Sequence, residues 1–118
     1  VTIVATGIMV NEAVMAAETL AAEGIDARII DIHTIKPLDE EIIIKAAQET
    51  KAIVTAEEHS VIGGLGSAVA EVVVKNAPVK MAMVGQKDTF GESGKPDQLK
   101  EKYGMTAADI VAAVKSVL

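Results

Sequence analysis

The segment Ala52–Glu71 (AIVTAEEHSVIGGLGSAVAE) constrains the fold more than any other part of the chain. Its β-branched run Ile53-Val54-Thr55 suits a strand covered on both faces, as in a parallel sheet. Glu57, Glu58 and His59 follow as a polar loop, where the C-terminal edge of that strand should lie. In open α/β sheets ligands bind at this edge. Glycines at 63, 64 and 66 then allow close backbone approach, and Ser67 starts an apolar helix.

The rest of the chain repeats the alternation. Val1–Thr6 (VTIVAT) reads as a first strand stopped by Gly7. Asn11 is an N-cap candidate for a helix over Glu12–Glu23, and Gly24 occupies the left-handed stop position. Ala13, Val14, Ala17, Leu20 and Ala21 fall on one apolar stripe of that helix. Ala27–Ile32 is a second strand, and Pro37 forbids helix at Lys36. Asp39 caps a helix over Glu40–Thr50, with Glu40 and Glu41 in the first turn where the helix dipole favours anions. A helix from about Gly64 to Lys75 and a fourth strand over Val79–Gly85 come next. Gln86–Lys95 is a polar loop that carries Phe90. Pro96 opens a short helix ending near Tyr103, with Gly104 closing it. Thr106-Ala107-Ala108-Asp109 resembles a capping box at the start of a last helix to Leu118. Alternating strands and helices with short joints define an α/β fold with a largely parallel sheet in one domain, 1–118. Val1 already belongs to a strand, which suggests a domain excised from a longer chain.

Composition narrows the partners. The 118 residues include one Phe and one Tyr, so the core is built from aliphatic side chains. Net charge is −6, with no basic footprint for nucleic acid or an anionic membrane. There is no cysteine, hence no disulfide framework and no thiolate zinc site. No apolar run reaches membrane-spanning length. A cytoplasmic location is the expectation.

Three groups of residues could carry chemistry. Gly64-Leu65-Gly66 begins a dinucleotide fingerprint, but Val69 stands where the third glycine or alanine belongs, and no GxxxxGK[ST] sequence occurs. The glycines then serve either tight packing or an anion cradle at the helix N-terminus. Glu57, Glu58 and His59 could do acid–base work or bind a metal, with Asp31, His33, Lys87 and Asp88 near the ends of neighbouring strands. A solvated rim, or an interface with another domain, is the competing reading. The third group is the loop Asp88–Gly94, where Phe90 packs either on the domain or on a partner. HExxH and GxSxG are absent, and Ser67 has no evident base.

Taken together, these residues resemble the C-terminal domain of transketolase and its thiamine diphosphate-dependent relatives. The resemblance spans nearly the whole chain. It rests on Thr34-Ile35-Lys36-Pro37-Leu38-Asp39 and on Glu57-Glu58-His59 with Gly63-Gly64-Leu65-Gly66-Ser67-Ala68, in that order and spacing. Gly85, Asp88-Thr89-Phe90, Ser93-Gly94 and Tyr103-Gly104 extend it. It implies a three-layer α/β/α domain around a mixed, mostly parallel five-stranded sheet, with one outer strand antiparallel.

The same resemblance implies a parent enzyme that moves a two-carbon ketol unit between sugar phosphates, with thiamine diphosphate as electron sink and Mg²⁺ beside it. Both would be held by preceding domains, since the G-D-G…N metal motif is absent here. No catalytic, cofactor or metal role therefore falls on any residue of this chain. The expected partners are the remaining domains or subunit, in a homodimer or heterotetramer. Glu57, Glu58, His59, Gly63, Gly64, Gly66 and Ser67 form the candidate rim for docking or a ligand. The alternative is a stand-alone module that binds a small molecule or anion at the Gly63–Gly66 helix N-terminus.

Overall fold

A computed structural model of the chain describes residues 1–33, 37–60, 64–86 and 105–118, with backbone only at 59, 60 and 86. Four strands are present among these residues: β1 (Thr2–Ala5), β2 (Arg28–Asp31), β3 (Ala52–Ser60) and β4 (Lys80–Gln86). They form one sheet in the order β2-β1-β3-β4, and every pairing is parallel. The fifth, antiparallel strand that the resemblance implies is not among the described residues. Four helices connect and cover the sheet: α1 (Met9–Ala22), α2 (Glu40–Thr50), α3 (Leu65–Asn76) and α4 (Ala107–Val117).

Side-chain alternation along the strands divides the core into two layers. Ile3 and Ala5 of β1, with Val54 and Ala56 of β3, face α1 and α4. Val4 and Ile53 point the other way, to α2 and α3. Leu20 and Ile110 are fully buried in the first layer, and Ile43, Leu65 and Val69 in the second. Each such aliphatic side chain contributes roughly 1.5–3 kcal/mol through loss of contact with water. The surface pair Arg28–Glu49, at 2.9 Å, contributes at most about 1 kcal/mol because water screens it.

Helix ends follow local chemistry, with two corrections. Asp39 caps α2, its Oδ1 accepting from the Ile42 amide, and Gly24 stands just beyond α1 at φ +81°. Asn11, however, is not an N-cap. Gly7, at φ +56°, turns the chain so that the Thr6 and Gly7 carbonyls already accept from Met9 and Val10, and α1 begins at Met9. Its buried side chains are Met9, Glu12, Ala13, Ala16 and Leu20, while Val14 lies at the surface. The second correction concerns β3. The strand does not stop at Thr55 but continues through Glu57, Glu58 and His59 to Ser60. It shifts register against β4 between Ala56 and Ser60. The expected short helix over 96–103, Phe90, and Lys87 with Asp88 lie outside the described residues.

Candidate functional site at the carboxyl ends of the strands

Connectivity creates a topological switch point between β1 and β3. The two strands are neighbours, yet β1 leads into α1 on one face and β3 leads into α3 on the other. Loops that part in this way leave a crevice at the carboxyl ends of the strands, the usual ligand position in open parallel sheets. The candidate residues converge on this crevice.

Glu57 is 1% exposed and turns to the α3 side. Its Oε1 accepts from the Leu65 amide at 2.9 Å, and its Oε2 accepts from the Gly66 amide at 2.8 Å. Helix α3 has Gly64 at its N-cap, with no side-chain cap. The carboxylate of Glu57 takes that place from another element. It satisfies two of the orphan amides and adds a negative charge at the positive end of the helix dipole. Charge-assisted bonds of this kind are shorter and stronger than neutral ones. The glycine-opened N-terminus is thus filled from within the chain.

Glu58, the next residue on the strand, turns away from α3. Its Oε1 lies 3.1 Å from the position a Cβ on Gly7 would take, at the entry to α1. Adjacent carboxylates on one strand therefore serve opposite faces, and Glu57, Glu58 and His59 do not act as one cluster on a loop. Asp31 and His33 lie at the end of β2, with His33 Nε2 3.7 Å from Asp31 Oδ2. Two strand spacings, about 10 Å, separate them from β3. Among the described residues no three His, Asp or Glu side chains converge to hold a metal ion, and no helix is long and apolar enough to cross a membrane.

Gly66 is fixed by packing. A Cβ there would lie 2.8 Å from Met83 Sδ and 3.0 Å from both Met83 Cγ and Thr55 Oγ1, so any side chain would push α3 off β3 and β4. Ser67 follows it in the first turn, and Gly63 lies outside the described residues. Sequence reasoning missed one site residue, Glu12. This buried side chain of α1 accepts through Oε2 from the Ala107 amide at 2.9 Å. Helix α4 thereby receives a remote carboxylate at its start, as α3 does. A glutamate on the buried stripe of an apolar helix was the available signal.

An open parallel α/β sheet whose switch point is closed by its own carboxylates defines the class of domain. Residues 1–110 match the family model described as transketolase, C-terminal domain. The chain is 56% identical over 117 residues to the 6-deoxy-6-sulfo-D-fructose transketolase subunit SqwH of Clostridium sp. (strain MSTE9), covering 99% of this chain and 36% of that protein. It is 47% identical over 114 residues to a putative transketolase C-terminal section of Methanocaldococcus jannaschii, covering 96% of this chain and 35% of that protein. A solved structure, "Split gene transketolase, inactive beta4 tetramer", superposes with a TM-score of 0.95 at 56% identity, over 99% of this chain and 38% of that one. The chain belongs to the transketolase C-terminal domain family. It spans about a third of the length of these curated relatives.

Proposed function

We propose that this chain is the C-terminal section of a thiamine diphosphate-dependent transketolase and serves it as an accessory domain for assembly. The carrying observation is the Glu57 carboxylate on the Leu65 and Gly66 amides. A domain that bound an anion or a diphosphate at this crevice would keep those amides open. Their occupation favours the scaffold over the stand-alone binding module. By the same test the described residues do not fit thiamine diphosphate or its Mg²⁺, and no step of the reaction is assigned to this chain.

In this reading the remaining part of the enzyme holds the cofactor, which supplies the electron sink for ketol transfer. The present chain supplies an aliphatic scaffold and surfaces on which that part and further subunits dock. Assembly with a separate partner subunit follows the split-gene relatives. The donor is a ketose with a terminal anionic group, a phosphate or the sulfonate that the Clostridium relative's name carries.

The test is to combine the complete natural polypeptide carrying this segment with the enzyme's cofactor-binding part. Ketol transfer is then measured with thiamine diphosphate, Mg²⁺ and each of the two donors. Transfer requires both parts, and Glu58→Ala in this chain lowers turnover by less than about tenfold, because no residue here touches the reacting atoms. Turnover by this domain without the other part, or a loss on the order of a thousandfold in Glu58→Ala, rejects the accessory role.

A further inference from the structure

Helix α3 lies beside β4, the outermost strand on its side of the described sheet. Its outward surface is unusually apolar for a solvated helix. Val74 is 69% exposed, the highest value among the large hydrophobic side chains described, and Met83 of β4 is 37% exposed. Ser67, Ala70, Glu71, Val74, Lys75 and Met83 line a shallow groove of about 400 Å³ between helix and strand. The small residues at 67 and 70 keep its floor low enough for another backbone to approach.

The charges on this face are balanced and self-complementary. Glu71 and Lys75 are one helical turn apart, both exposed, and neither has an ion-pair partner among the described residues. We propose that this α3 face meets the same face of a second copy of the chain across a twofold axis. The proposal rests on the assembly role argued above and names the surface that performs it. With the two helices antiparallel and the axis near residue 73, Glu71 faces Lys75 of the second copy and Lys75 faces its Glu71. Val74 then meets its own equivalent beside the axis. A twofold contact requires one patch to complement itself, and oppositely charged positions either side of an apolar centre do so.

The other exposed helix faces lack this property. Helix α1 presents Ile8, Val14 and Met15 near its surface, but it carries Glu12 and Glu18 and no basic residue. Two copies meeting there would bring carboxylates together. Helix α2 exposes Ile42 among Glu40, Glu41 and Glu49, with Lys45 as its one cation. Of these faces, α3 alone combines the most exposed apolar side chain with a neutral, reciprocal pair.

The experiment is sedimentation velocity on the complete natural polypeptide, across a dilution series. Glu71→Lys places four cations at the axis and raises the dissociation constant for self-association roughly tenfold or more. The double variant Glu71→Lys/Lys75→Glu exchanges the signs, restores complementarity, and returns the constant to within about threefold of the original. Both positions are solvent-exposed, so circular dichroism stays unchanged. Unchanged self-association in Glu71→Lys overturns the proposal. So does weakening that the double variant fails to repair, since that marks a different partner on this face. Ketol transfer by the assembled enzyme separates this outcome from the accessory role: an absent α3 contact with transfer intact removes the interface alone.

Discussion

The N-termini of α3 and α4 are closed in two different ways. At α4 the cap is local: Thr106 Oγ1 accepts from the Asp109 amide, and Asp109 Oδ2 accepts from the Thr106 amide at 2.9 Å. Glu12 only adds to it, holding the Ala107 amide. At α3 the N-cap is a glycine, and both bonds come from Glu57 on β3. Closure at α4 belongs largely to the segment, whereas closure at α3 belongs to the tertiary structure. The difference teaches where the domain depends on its fold. Helix α3 is held in place at the position where related sheets present an open ligand crevice.

Glu57→Ala should break this contrast most strongly. It strips two buried amides of their acceptors and leaves a void, a loss of about 3 kcal/mol in urea unfolding. Gly66→Ala comes next. Exposed Met83 can swing away from the new methyl, but Thr55 is buried in the strand, so overpacking costs about 2 kcal/mol despite the better helix former. Thr106→Ala should cost about 1 kcal/mol in the same assay, because Glu12 still serves the neighbouring amide. The smallest effect has the opposite sign. Thr55 Oγ1 is buried with no partner among the described residues, so Thr55→Val should raise stability by about 0.5 kcal/mol. A Glu57→Ala loss no larger than that of Thr106→Ala would erase the contrast.

The same contrast explains what could be read in advance. The Thr106–Asp109 box and the Asp39 cap are short-range patterns, legible because each partner lies three residues from the other. The alternation of strands and helices was legible for a similar reason, since hydrophobic periodicity is a local signal. The β3 boundary was not. Glu57 to His59 have the composition of a loop, and their place in a strand is decided by amides eight and nine residues away and by pairing between strands. The division of Glu57 from Glu58 required knowing that the strand continued. Glu12 was invisible for the same reason, its partner being 95 positions distant. The resemblance carried the candidate rim, while its chemistry came only from the geometry.

The central claim is that the α3 N-terminus is filled by Glu57 and offers no anion site. The most direct measurement follows the amide resonances of Leu65 and Gly66 in the intact protein while inorganic phosphate is added to millimolar concentration. The account predicts that neither resonance moves, because both amides already donate to a buried carboxylate. Saturable shifts of both would contradict it and show that an external anion displaces Glu57.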